Sequence, residues 1–133
     1  MILKDPPLHH VGIVQPDEET ALALMALLGL SQSYRGFVET FQALCIFTEA
    51  AGHSPIEFVI PDGGPLERFN KGAGGLHHVA FETPDLVALA EDFARRDMPM
   101  LEPKPVKGAG SFLCNFLLPS VTRGIIVEYV QLI

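Results

Sequence analysis

Basic residues are scarce in this 133-residue chain: nine Lys and Arg stand against sixteen Asp and Glu, a formal charge of −7. So acidic a chain lacks the footprint that displaces counterions from a phosphate backbone, which excludes nucleic acid as an expected partner. Cysteine is equally rare. Cys45 and Cys114 each lie in an apolar run without C-x-x-C spacing, predicting buried free thiols in a reducing compartment rather than a disulfide framework. The longest apolar stretch, Ala21 to Leu30, falls far short of the roughly 20 residues that span a bilayer, and Met1 to Pro7 lacks a secretory pattern. A cytoplasmic protein without a membrane partner is expected. H-E-x-x-H and G-x-S-x-G are missing, which argues against zinc peptidase and serine hydrolase chemistry. Lys71-Gly72-Ala73-Gly74 and Lys107-Gly108-Ala109-Gly110 lack the P-loop pattern, so nucleotide hydrolysis is not expected either.

Apolar residues, by contrast, make up 48% of the chain against 19% charged, enough to build one core. The chain also repeats itself. Leu8-His9-His10-Val11-Gly12-Ile13-Val14-Gln15-Pro16-Asp17 returns as Leu76-His77-His78-Val79-Ala80-Phe81-Glu82-Thr83-Pro84-Asp85, identical at six of ten positions. Further on, Ile56-Glu57-Phe58-Val59-Ile60 matches Val127-Glu128-Tyr129-Val130-Gln131 in apolar pattern and single carboxylate. The offsets, 68 and 71, agree within a loop's length, so the chain reads as two copies of one module. The modules run from about 6 to 62 and from about 74 to 133. Between them, the turn-rich stretch of about 63 to 73 has room for one helical turn at Pro65 to Asn70.

Within each copy, a β-branched strand (Leu8 to Val14 in the first) ends at Pro-Asp, and the Asp caps a helix. The first helix, about 18 to 28, presents Leu22, Met25 and Leu28; the second presents Leu86, Leu89, Ala90 and Phe93. Strands follow at Phe37 to Thr48 and Ile56 to Ile60, then at Ser111 to Leu118 and Gly124 to Gln131, while Ser31 to Gly36 and Pro103 to Ser111 read as loops. Module order is therefore βα followed by two or three strands, an α+β class.

Strand alternation puts His10 on one face with Gly12 and Val14, and His9 on the other with Val11 and Ile13. If the modules pair about a pseudo-twofold axis, His10, His78, Glu57 and Glu128 converge in an apolar cleft. Burying two carboxylates there is costly without compensation, and a divalent metal supplies it. An N2O2 set leaves two octahedral positions open and suits Co²⁺, Ni²⁺, Mn²⁺, Mg²⁺ or Zn²⁺ better than iron. His9 and His77 are expected to be structural or to support the ligands.

The His-His-Val start, Ile-Glu-Phe-Val-Ile-Pro, Gly-Leu-His-His-Val-Ala-Phe and the closing Gly-Ile-Ile-Val-Glu-Tyr-Val-Gln resemble the vicinal oxygen chelate (glyoxalase/bleomycin resistance/dioxygenase) superfamily. The resemblance spans nearly the whole chain and is nearest its methylmalonyl-CoA epimerase and glyoxalase I branch. It implies two tandem βαβββ modules forming a cup-shaped mixed sheet around a metal site, with His10, Glu57, His78 and Glu128 as ligands. It further implies a homodimer and a metal-dependent isomerase, epimerase or lyase. Such an enzyme acts through metal-stabilised enolate formation on a small acyl-CoA or 2-oxo/hydroxy-acyl substrate, with Glu128 or Glu57 as base. A glyoxalase I-like lactoylglutathione lyase, an iron-dependent extradiol dioxygenase and a non-enzymatic binding module are the alternatives.

The sequence departs from the epimerases where they place an additional acid, on the strand equivalent to Phe37 to Thr48. Here its middle reads Phe41-Gln42-Ala43-Leu44-Cys45-Ile46-Phe47, leaving only Glu39 as a candidate base. Gln42 and Asn115 are candidates to orient a substrate oxygen. Lys104, Lys107 and Arg123 could meet an anionic tail.

Overall fold

The computed structural model describes residues 3–133. Its strands and helices run β1 (Leu8–Val14), α1 (Glu18–Leu27), β2 (Gln32–Val38), β3 (Ala43–Thr48), β4 (Ile56–Pro61), β5 (Gly75–Glu82), α2 (Leu86–Ala94), β6 (Val106–Lys107), β7 (Phe112–Leu117), α3 (Pro119–Thr122) and β8 (Ile126–Leu132). A kinked 3-10 segment, Pro65–Gly72, lies between β4 and β5. The class is α+β, and each half reads βαβββ. None of the described helices is long and apolar enough to cross a membrane.

The chain divides into two compact units: His10–His77, and the segment up to His9 together with His78–Ile133. In the first, the strands lie in the order β2-β3-β4-β1. β1 is parallel to β4 while β2, β3 and β4 pair antiparallel, so the sheet is mixed. One face packs under α1: Ala21 and Met25 of the helix meet Ile46, Phe58 and Ile60, flanked by Ile13, Leu24 and Leu44. The buried stripe is thus Ala21-Leu24-Met25, not the predicted Leu22-Met25-Leu28. Leu22 and Leu28 are 42% and 54% exposed, because the small Ala21 lets the backbone approach the sheet and turns the larger leucines outward. An Arg35–Glu18 pair at 2.9 Å ties β2 to the same helix.

The second unit repeats this plan with β5-β8-β7-β6. β5 is parallel to β8, and β7 pairs antiparallel with β8 and with the two-residue β6. The predicted face of α2 is the observed one: Leu86 and Leu89 are buried, and Phe93 meets Tyr129 with ring centroids 5.7 Å apart. Both helices start where the sequence indicates. Asp17 accepts from the Thr20 amide at 2.7 Å and Asp85 from the Ala88 amide at 3.0 Å, each satisfying an otherwise orphaned donor of the first turn.

Further sequence expectations need correction, among them the supposed loop from Pro103 to Ser111, which contains the two-residue strand β6. The supposed strand from Phe37 to Thr48 is the end of β2, a turn over 39–42 and then β3. The supposed loop from Ser31 to Gly36 is mostly β2, an exposed strand whose polar side chains give no alternation to read. Cys45 and Cys114 are buried free thiols, as expected.

Candidate metal centre

Along β1, alternation buries His10, Gly12 and Val14 and leaves His9, Val11 and Ile13 partly exposed. Parallel pairing sets Gly12 opposite Glu57, two residues beyond His10, so Glu57 and His10 share the sheet face turned away from α1. Their side chains meet, His10 Nε2 to Glu57 Oε1 at 3.3 Å, with His10 wholly buried. Across β3 and β4, Phe47 stands opposite Glu57 and meets His10 edge-on at 5.0 Å. Opposite Phe47, on β2, stands Tyr34, stacked on it at 4.9 Å and 7°. Cross-strand partners share a face, so Tyr34, Phe47, Glu57 and Gly12 form one row across four strands. Burial, then the charges of Glu57 and Cys45, push the Tyr34 phenol up to about 12.

The other unit builds the same arrangement by the same register. Ala80, two residues beyond His78, pairs with Glu128, and Phe116 stands opposite Glu128 on β7. His78 Nε2 lies 3.0 Å from Glu128 Oε1, and both side chains are buried. Phe116 lies edge-on to His78 at 6.3 Å. Both aromatic flanks escaped the sequence reading, although Phe47 and Phe116 stand at the offset of 69 that relates Cys45 to Cys114.

These donors fit a divalent cation. Each unit offers an imidazole nitrogen and a carboxylate oxygen against aromatic rings, where an anion without compensation is costly. Nitrogen with oxygen donors suits a hard or borderline ion.

The neighbouring imidazoles do structural work. His9 meets Phe112 edge-on at 5.3 Å and His77 meets Phe69 at 4.8 Å, each within its own unit. The three remaining candidates fare differently from their sequence placement. Asn115 is on a strand, but on the face under α2, opposite Tyr129. Its amide is committed to backbone: Oδ1 accepts from Glu102 N at 2.9 Å and Nδ2 donates to Glu102 O at 3.0 Å. A role in binding substrate is therefore withdrawn. Gln42 is not on a strand; it sits exposed in the β2–β3 turn at φ +49°, with its side chain against Gly63 and Gly64. Glu39 opens that turn and is exposed. Among the loop cations, Lys107 donates to Gly110 O at 2.6 Å, and Arg123 adopts a left-handed conformation after α3.

Residues 9–116 match the family described as the Glyoxalase/Bleomycin resistance protein/Dioxygenase superfamily. The chain belongs to that superfamily. Among relatives, the human mitochondrial methylmalonyl-CoA epimerase is 30% identical over 130 residues, covering 93% of this chain and 73% of the human protein. An ethylmalonyl-CoA/methylmalonyl-CoA epimerase from Cereibacter sphaeroides is 29% identical over 134 residues, covering 93% of this chain and 96% of its own. The crystal structure of methylmalonyl-CoA epimerase from Mycobacterium tuberculosis superposes with a TM-score of 0.87 at 19% identity, over 99% of this chain and 93% of that one. At that identity the superposition speaks for the fold, which is the superfamily's.

Proposed function

We propose that this protein is a divalent-metal-dependent epimerase of 2-carboxyacyl-CoA thioesters such as methylmalonyl-CoA. The single observation that carries this reading is the buried His–Glu pair built twice by one register, in a chain whose relatives include epimerases acting on that class of substrate. In this reading the two modules, about 6–62 and 74–133 joined at about 63–73, bring His10, Glu57, His78 and Glu128 to one ion. When bound, the ion supplies electrophilic stabilisation of the negative charge that develops beside the α-carbon.

The protein's own residues do the rest. The α-proton of a malonyl-type thioester is acidified by two flanking carbonyl groups, and a carboxylate within reach can take it. In this reading Glu57 and Glu128 are the two carboxylates that do so. One, as the carboxylate, accepts the proton, while the other enters the turnover protonated and gives its own proton to the opposite face of the planar carbon; this inverts the centre and leaves the two in exchanged protonation states. Exposed Glu39 is the remaining acid of the earlier set and serves here as a reserve base. Gln42, at the β2–β3 turn, is available to a substrate oxygen. The apolar walls, Phe47 and Phe116, exclude water and keep the carboxylates reactive. A homodimer is the association state of this reading.

The test is deuterium incorporation at the α-carbon of methylmalonyl-CoA in deuterated water, after chelation and after restoring Co²⁺, Ni²⁺, Mn²⁺, Zn²⁺ or Mg²⁺. Metal-restored exchange, with about one metal per chain by elemental analysis, is the expected result. A purified chain that takes up no metal and exchanges no proton would return the fold to the binding modules.

A further inference from the structure

The row Tyr34–Phe47–Glu57–Gly12 has no complete counterpart in the other unit. There Phe116, Glu128 and Ala80 recur, but β6 pairs only with Leu113 and Cys114 and ends before reaching Phe116. Leu101 donates to the Phe116 carbonyl at 2.8 Å, so a loop residue flanks β7 where β2 brings Tyr34 to Phe47. One module thus adds a phenol to the ligand-bearing face and the other does not.

We infer that Tyr34 binds substrate in this site, its phenol donating a hydrogen bond to the thioester oxygen on which charge gathers as the α-proton leaves. The inference rests on the epimerase reading above. Four observations support it. Tyr34 shares the sheet face of Glu57 and His10, one strand beyond Phe47. Its ring is held flat against Phe47, so the hydroxyl is aimed rather than free to swing. Tyr34 is 37% exposed, and its hydroxyl has no hydrogen-bond partner among the described residues, so the donor is open to what enters from solvent. An exposed phenol with its ring fixed, on the face of the sheet that carries Glu57 and separated from it by Phe47, is arranged for something that arrives from outside. Finally, a phenol keeps its proton across the neutral range, so it is a donor and not a base. Such a donor contributes most when charge develops, and less to the uncharged ground state.

Tyr34→Phe isolates the claim, because it keeps the ring and its stack and removes only the oxygen. The probes are 2-nitronate-propionyl-CoA, whose nitronate carries the charge of an enolate, and propionyl-CoA, which does not. Calorimetric affinities for both are measured on the metal-loaded parent and variant. The expected result is a preference for the nitronate that falls about tenfold in the variant, with a matching fall in the α-proton exchange rate. Metal content and melting temperature should stay at the parent's values. The ratio of two affinities on one sample also remains readable if the variant is partly unfolded. A nitronate preference and exchange rate within about twofold of the parent's would overturn the role of Tyr34 and leave the epimerase reading standing. A parent that shows neither exchange nor nitronate preference would remove the epimerase reading and the Tyr34 role with it.

Discussion

The two units apply one register to different neighbours. Position by position, β1 matches β5, β4 matches β8, and each buried His meets the Glu opposite a small residue, Gly12 or Ala80. On the other sheet face the likeness stops. At the offset that pairs Phe47 with Phe116, Ile46 corresponds to Asn115. Ile46 joins the apolar cluster beneath α1, while Asn115 spends its amide on the backbone of Glu102. The face that carries the His–Glu pair keeps that pair and its aromatic neighbour alike in both copies. The helix-facing side need only be packed, by apolar contact in one unit and by hydrogen bonds that anchor a loop in the other.

The strongest way to break this comparison is to remove the glutamates one at a time. If Glu57 and Glu128 act as the repeat implies, Glu57→Ala and Glu128→Ala should each lower α-proton exchange by about 10²–10⁴-fold, the span typical of a lost acid or base. Each should also abolish stoichiometric metal. Elemental analysis and exchange on the same preparations check it. A Glu57→Ala protein that kept its metal and most of its exchange would mean that only one copy of the pair does chemistry.

A smaller effect tests the helix-facing side. Asn115→Ala strips the Glu102 N–H and C=O of their side-chain partners, and such losses cost about 1–3 kcal/mol. Ile46→Asn places an amide in an apolar cluster and should cost about 3 kcal/mol or more. Urea midpoints at constant m-value measure both. The informative outcome is the contrast. If Asn115→Ile, which makes the two copies alike, proved as stable as the parent, the loop anchor would be dispensable and the asymmetry incidental.

These same positions show what the sequence could and could not reveal. The His and Glu placements were legible because they are doubly written: a His-His-Val motif and an apolar-Glu-apolar strand recur at nearly one spacing, and strand alternation decides which His turns inward. The caps Asp17 and Asp85 were legible because Pro-Asp precedes an amphipathic stretch. β2 was not, since Gln32–Val38 is largely exposed and polar, and a strand without an apolar face has no period-two signal. The β2–β3 turn was hidden as well. It contains no Gly, Pro or Asn, and Gln42 takes the positive φ that those residues usually advertise. That one misreading moved Gln42 onto a strand and concealed Tyr34, whose importance comes only from its position opposite Phe47. Asn115 was misread for a simpler reason: its face depends on register with Tyr129, which local sequence does not specify.

The mildest test compares the two helix starts. Asp85→Ala removes the acceptor of the Ala88 amide and should cost about 1 kcal/mol, as cap removals do. Asp17 adds a second bond, from the Thr20 hydroxyl, and its carboxyl is held below the ordinary range by that bond and then by the Thr20 amide. The sign follows from linkage: a lowered folded-state pKa contributes stability above the unfolded value of 3.8, and loses it as pH falls through the folded value. The parent should therefore melt above Asp17→Ala at neutral pH, with the gap closing in acid below the usual carboxylate pKa. The gap is expected to be modest because Asp17 is exposed to solvent. Melting curves across that pH range decide it: a gap that stayed constant into acid would show that the cap acts without its charge, and no gap at any pH that α1 is started by its packing on Ile46 and Phe58 rather than by the cap.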